Sequence, residues 1–532
     1  MAEKIEILDT TLRDGSQRAG ISLSVADKLQ IAKRLDRFGI DVIEGGWPGS
    51  NPKDAEFFHR ARQIKWQHAR LAAFGSTRRA NKAAAADVSL QAIVTSGASI
   101  GVLVGKSSAF QVREALRTTL EENLKMIEES IAFLKAAGMQ AFFDAEHFFD
   151  GYKEDAEYAL ATLLAAERGG ADVIVLCDTN GGTMPDQIYT ITKAVVDRLS
   201  VKVGIHTHND CGLGVAGTLL AVDAGARHVQ GTVNGYGERA GNADLCQIIA
   251  NLQLKKGYYC VPDLSGLTDL SRFVDEVANV NPDEYRPFVG SSVFAHKAGL
   301  HVSALLRNSG TYEHIDPAVI GNRRRVLISE LSGGANLIYK AKEYNIELEK
   351  DSAALAQMLQ MVKELGHEGY TFEGAEGSFE LILRKAVGLY RPYFELIGLR
   401  LIIEKRKPGE EPIAEATVKI RVGKQIAHTV SEGNGPVNAL DSALRLALQQ
   451  QYPAISAIHL TDYKVRVLNE QAGTGAKVRV MIESASNGRR WTTVGVSANI
   501  IEASWRALVD SIEYGLMICD VKPLTAEPAL AQ

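Results

Sequence analysis

The first 260 residues alternate short apolar runs with stretches whose apolar positions recur every three or four residues, and this alternation limits the fold more than any other feature. Ile5–Leu8, Val42–Gly45, Leu71–Phe74, Ala92–Thr95, Gln140–Asp144, Val173–Cys177, Lys202–Thr207 and Val229–Asn234 read as strands. Helical patterns lie between them, the longest over Val112–Ala137 and a typical later one over Asp186–Leu199. Eight such units suit a (β/α)8 TIM barrel, although a doubly wound sheet has the same alternation. Polar residues decide between the two. Arg13-Asp14, Glu44, Glu146, Asp178-Thr179, His206 with His208, and Glu238–Asn242 all fall at or just beyond strand C-terminal ends. Only a closed barrel gathers the ends of strands 1, 5, 6, 7 and 8 at one point.

A chain of 532 residues exceeds what one core organises, so further domains are expected. From 271 to 400 the pattern is helical, with breakers at Gly333-Gly334 and Gly366. Beyond 401 the chain reads as an α+β domain with a strands-then-helix repeat. Ala414–Val422 and Gln425–Val430 precede the helix Val437–Gln450; Asp462–Leu468, Ala476–Ile482 and Trp491–Val496 precede Ala498–Tyr514. The expected division is a barrel over 1–270, helical subdomains over 271–400, the α+β domain over 401–520 and a frayed tail, Val521–Gln532. The formal charge of -5 comes without a long block of one sign, which gives no support to a nucleic-acid or membrane-surface role. Cys177, Cys211, Cys246, Cys260 and Cys519 form no CxxC pair, which argues for a reducing compartment. Nothing near Met1 resembles a signal peptide and no apolar run reaches the roughly 20 residues that span a bilayer, so a cytoplasmic location is expected.

His206-Thr207-His208 places two imidazoles on one face of a strand, because residues two apart point the same way. Asn209-Asp210-Cys211-Gly212 then turns the chain into a helix, which puts the pair at the strand's catalytic end. Alone, a His-x-His pair is more often an exposed strand feature than a metal site. Asp14, leaving strand 1 in Leu12-Arg13-Asp14-Gly15-Ser16-Gln17, adds a carboxylate; taken alone, Arg13-Asp14 is a plain salt bridge. Two histidines with one carboxylate make an open site suited to a divalent cation and a chelating substrate. Asn242, in Gly237-Glu238-Arg239-Ala240-Gly241-Asn242, could supply a further oxygen, while the glycines there also suit ordinary turns.

Leu12-Arg13-Asp14-Gly15 with Gln17, His206-Thr207-His208-Asn209-Asp210 and Gly237-Glu238-Arg239-Ala240-Gly241-Asn242 together resemble the DRE-TIM metallolyase superfamily. The resemblance is greatest to the branch of 2-isopropylmalate, homocitrate and citramalate synthases, and it runs from strand 1 to about Leu516. It implies Asp14, His206 and His208 as ligands of a divalent metal, Mn²⁺ or Mg²⁺ with Zn²⁺ also compatible, and Asn242 as a further ligand. Arg13 would polarise the ketone of a 2-oxo acid, and Thr179 would hold its carboxylate. The implied chemistry is a Claisen-type condensation with acetyl-CoA as cosubstrate, followed by thioester hydrolysis. Glu146, in Phe143-Asp144-Ala145-Glu146-His147, is the candidate base within the barrel; without the resemblance it reads equally as a structural ion pair. His301 and Tyr312 match a histidine and a tyrosine that, in this family, reach into the neighbouring subunit's barrel. A homodimer with a shared active site follows. His296 and His314 are weaker candidates for that histidine.

The C-terminal repeat resembles the regulatory domain of the same branch. Its markers are Glu432-Gly433-Asn434-Gly435-Pro436-Val437 and Gly495-Val496-Ser497-Ala498-Asn499-Ile500-Ile501, which open the two helices. Glycines at such junctions suit either tight turns or free helix N-terminal amides that receive a carboxylate. Phe142–Tyr152 and Thr311–Pro317 look more like citramalate synthases than isopropylmalate synthases, so pyruvate is the expected oxo acid and isoleucine the expected effector. The alternative is 2-oxoisovalerate, with leucine as effector. Homocitrate synthesis would need an extra basic residue for a distal carboxylate, and none is evident. A cleaving lyase would not need Ala414–Tyr514, and an amino-acid sensor on an inert barrel would have little reason to keep Arg13, Asp14, Glu146 and both histidines.

Overall fold

Eight parallel strands close into a barrel in the computed structural model, which describes residues 2–329, 332–350 and 352–524. They are β1 (Glu6–Asp9), β2 (Val42–Gly46), β3 (Arg70–Ser76), β4 (Ile100–Lys106), β5 (Gln140–Glu146), β6 (Val173–Asp178), β7 (Lys202–Thr207) and β8 (His228–Gly231). β8 returns to β1 in the register Glu6↔His228 to Asp9↔Gly231, which closes the ring. Both faces of these strands are covered, which explains their nearly continuous apolar sequences. Leu8, Val42, Ala72, Phe74, Val102, Phe142 and Val175 fill the interior, while their neighbours Ile7, Ile43, Ala73, Leu103, Phe143 and Ile174 pack outward against helices.

The fourth expected strand is displaced. Ala92–Thr95 is the end of the helix Val88–Thr95, whose start Asp87 caps by accepting from Ser89 N and Leu90 N. A short apolar run carries no period of its own, and the capping aspartate was the signal that separates helix from strand. The true strand, β4, holds Gly101, where a Cβ would meet Leu134 Cδ1 at 2.5 Å. The helix expected over Val112–Ala137 is also interrupted. A π-turn over Val112–Leu116 ends at Arg117 with φ 52°, and Thr119 then caps Leu120–Ala136. β8 stops at Gly231 rather than at Asn234, which has φ 64°.

The chain divides into two compact units. The first runs to Phe294 and takes back Ile315–Arg323; the second holds Ala295–His314 and everything from Arg324. In the first, the helix Leu267–Val277 covers the end of the barrel sequence, and Thr268 Oγ1 donates to Ile320 O at 2.7 Å to hold the returning segment. The second begins with β9 (Ala295–His296) paired in parallel to β10 (Arg325–Val326), and with the helices Gly299–Arg307, Gly334–Glu343, Ala353–Glu368 and Glu376–Ala386. Gly366 lies inside the third of these and is no breaker; the helix stops at Gly369, with φ 107°.

Two layers of three antiparallel strands and one helix follow. The first is β11 (Glu395–Glu404), β12 (Ile413–Val422) and β13 (Gln425–Gly433) with Pro436–Leu448; the second is β14 (His459–Val467), β15 (Val478–Ser486) and β16 (Arg489–Ser497) with Ile500–Ile518. The repeat therefore has three strands in each half. β11 escapes a period-two reading because it is an edge strand with an irregular register between Leu396 and Gly398 and mostly exposed positions. Residues 525–532 of the expected tail lie outside the described residues. Among the described residues, no helix is long and apolar enough to cross a membrane.

Candidate active site

β7 delivers His206 and, one step past its end, His208, with the two ring centroids 5.2 Å apart. An isolated bridge between His208 and Asn242 ties the strand end to the loop after β8. That loop comes close because it carries glycine where a side chain has no room. A Cβ at Gly237 (φ 147°) would meet Asn242 Nδ2 at 2.3 Å, and one at Gly241 (φ 87°) would meet Gly235 O at 2.0 Å. The turn after β1 brings in Asp14, whose Oδ2 lies 3.7 Å from His206 Nε2 and 4.0 Å from His208 Nε2.

Asp14, His206 and His208 are all buried, and their ligand atoms lie within 4.8 Å of one another. Asn242 Nδ2 donates to Asp14 Oδ1 at 3.1 Å and to Tyr236 O at 2.9 Å, and its buried Oδ1 has no hydrogen-bond partner among the described residues. An orphaned amide oxygen beside two imidazoles and a carboxylate fits a divalent cation with positions left open for substrate. Charge favours the same use. Burial and then His206 push His208 down to about 4, so at neutral pH it offers a lone pair. Burial pushes Asp14 up, but Arg13 and the two histidines outweigh it and hold the carboxyl below its usual range.

Arg13 is fixed beside this cluster. Its Nε donates to Glu44 Oε2 at 2.6 Å, its Nη1 to Asp14 Oδ2 at 3.3 Å, and its guanidinium lies 3.8 Å from the centre of the Phe74 ring. Trp47 packs edge-on against Phe74, with centroids 5.3 Å apart. Glu146 ends β5 and pairs with Lys106 at the end of β4, beside a cleft of about 450 Å³ that Trp47, Thr77, Val104 and Lys106 help to line. Thr179 Oγ1 accepts from His147 N at 2.8 Å and keeps its own O–H to donate. Its carbonyl accepts from Arg239, which Asp210 anchors.

His301 and Tyr312 belong to the second unit, where they are exposed and stack with centroids 4.2 Å apart. His296 instead sits 3.1 Å from Glu313, which also holds Arg324, so it forms part of a structural ion-pair group. Sequence reasoning named Glu44 only as a strand-end residue and missed Phe74, Lys106, Asp144 and Gln230. Strand periodicity was the available signal for Asp144, which lies two positions before Glu146 and so shares its face. Burial, and then the charge of Glu44, push Asp144 up to about 7.

Residues 4–274 match the HMGL-like family, residues 288–370 the homocitrate synthase post-HMGL domain-like family, and residues 373–516 the LeuA allosteric (dimerisation) domain. An (R)-citramalate synthase from Aquifex aeolicus is 52% identical over 97% of this chain and 98% of its own length. One from Geobacter sulfurreducens is 51% identical over 96% and 97%. A probable 2-isopropylmalate synthase from Methanopyrus kandleri is 32% identical over 96% and 98%. With an HMGL-like match over just over half its length, and such identities over nearly all of it, the chain belongs to the citramalate synthase branch of the HMGL-like family.

Proposed function

We propose that this chain condenses acetyl-CoA with pyruvate and hydrolyses the resulting thioester, so that acetyl-CoA, pyruvate and water give citramalate and CoA. The observation that carries the reading is Arg13, clamped by Glu44 and Asp14 with its remaining N–H groups beside the buried Asp14–His206–His208 cluster. Arg13 donates to the ketone oxygen of pyruvate, and Thr179 donates its O–H to the pyruvate carboxylate. Asp14, His206, His208 and the free Oδ1 of Asn242 would hold Mn²⁺ or Mg²⁺, with Zn²⁺ compatible with the same donors. That ion, when bound, draws electron density from the ketone and offsets the negative charge that grows on its oxygen.

Glu146 removes a proton from the acetyl methyl, and the resulting carbanion equivalent forms a C–C bond to C2 of pyruvate while the ketone oxygen gains the charge and then a proton. Water then displaces CoA from the thioester, which makes the sequence irreversible in practice. Phe74 lies under the Arg13 guanidinium and Trp47 packs against Phe74, so the side of the site next to Arg13 is apolar and aromatic, which suits the methyl group of pyruvate. His301 and Tyr312 complete the site of a second copy as acid/base and hydrogen-bonding groups, and the enzyme acts as a homodimer. The C-terminal domain takes isoleucine as a feedback effector, in keeping with its match to an allosteric dimerisation domain. Free-CoA release from acetyl-CoA, with pyruvate, 2-oxoisovalerate and 2-oxoglutarate compared in the presence of Mn²⁺, tests the reading. Selective turnover of pyruvate is expected; preference for 2-oxoisovalerate would overturn the substrate, and silence with all three would overturn the reaction.

A further inference from the structure

Behind His206 the barrel interior carries a polar pair with no part in the steps above. Gln230 on β8 is fully buried and is the register partner of His206 on β7. Its Oε1 lies 2.8 Å from His206 Nδ1, and its Nε2 donates to Asp144 Oδ1 on β5 at 2.9 Å. Asp144 and His206 are 3% and 4% exposed, so bulk water does not compete for these contacts.

The three groups select one another's hydrogens. At pH 8, above the value of about 7 to which burial raises it, Asp144 is a carboxylate and only accepts, so it takes the NH₂ of Gln230 and turns the amide carbonyl toward His206. A carbonyl also only accepts, so the ring proton sits on Nδ1 and the lone pair on Nε2, the nitrogen that faces Asp14 at 3.7 Å. His208 has no such support: its buried Nδ1 has no hydrogen-bond partner among the described residues. We propose that Asp144 and Gln230 are positioning residues that lock His206 in the Nδ1-protonated tautomer and so make it the pre-set metal ligand, while His208 is left free to adjust. The inference rests on the metal site proposed above. It adds an outer layer of the kind that holds a ligating imidazole in register and raises its basicity.

Mn²⁺ affinity of the full-length protein at pH 8, read from the free-ion signal in electron paramagnetic resonance, tests this without recourse to turnover. Gln230→Met keeps the volume but offers no comparable acceptor, and binding about 10- to 100-fold weaker is expected. Gln230→Glu still accepts from Nδ1–H, one proton shared between the new carboxyl and Asp144 taking the place of the amide N–H, and is expected to bind within about threefold of the parent. Thermal unfolding of the chelator-treated proteins reports packing separately. If Gln230→Met does not fold, Asp144→Asn decides: it presents either an acceptor or a donor to Gln230, releases the lock, and should bind Mn²⁺ a few-fold more weakly. Parent-like binding by Gln230→Met, or equal weakness of Gln230→Glu and Gln230→Met, would overturn the inference. Equal Mn²⁺ binding by the parent and Asp14→Ala would overturn the metal site itself, a different failure.

Discussion

Arg13 carries its charge in a place where charge is costly, and three neighbours make that tolerable: the carboxylates of Glu44 and Asp14 and the face of Phe74. Glu44 is itself completely buried, and its Oε2 also accepts from Thr10 Oγ1 at 2.5 Å. Removing one member of such a pair leaves the other uncompensated, which typically costs about 3–5 kcal/mol. Glu44→Gln should therefore lower stability by about 3 kcal/mol, Asp14 still offsetting part of the loss, and should lower kcat as Arg13 loses its clamp. Denaturant unfolding and CoA release measure the two effects. Asp14→Ala and His208→Ala should each reduce turnover to the limit of detection, and near-normal activity in either would remove the proposed ligand set.

At the scale of single elements, the loop after β8 shows why a glycine-rich stretch here is more than a turn. Gly237 sits so close to Asn242 Nδ2 that any side chain must push the amide away from Asp14. Gly237→Ala is expected to weaken Mn²⁺ binding while the barrel stays folded, read by metal titration beside circular dichroism. The helix Ile500–Ile518 makes a different prediction. Its Glu513 is 2% exposed, accepts from Tyr390 Oη and from Tyr393 N, and burial pushes it up to about 7, with Lys385 and Asp510 also facing it. The native state thus keeps a proton that the unfolded chain releases above about 4.5, so this group's contribution falls as pH rises from about 4.5 to 7 and is flat beyond. Glu513→Gln should shrink the stability difference between pH 5 and pH 8 by on the order of 3 kcal/mol, measured by denaturation at both values.

At the scale of the whole molecule, the groups proposed for the chemistry are divided between the two units: Arg13, Asp14, Glu146, Thr179, His206, His208 and Asn242 in one, His301 and Tyr312 in the other. The proposed site shared between copies would make this division functional, and subunit mixing tests it. Glu146→Gln and Tyr312→Phe homodimers should be inactive, whereas random exchange leaves one intact site in each heterodimer and should restore about a quarter of parental activity. No recovery after verified exchange would place His301 and Tyr312 with their own barrel or outside the chemistry.

Much of this was legible from the chain. The βα alternation led to the barrel, the polar strand ends led to its catalytic face, and Asp14, His206 and His208 do meet there. Such features are local: side-chain period, turn residues and order along the strand. β4 and β11 were missed because a short apolar run and a mostly exposed edge strand lack a period that separates strand from helix or loop. Which of the polar groups touch was out of reach for another reason. The clamp of Glu44 on Arg13, the pairing of Lys106 with Glu146 and the line from Asp144 through Gln230 to His206 join strands that are distant in sequence. The sequence by itself determined the barrel and the gathering of Asp14, His206 and His208 at the C-terminal ends of its strands. Only the tertiary structure, by closing the ring and burying these groups away from water, decided which donor meets which acceptor.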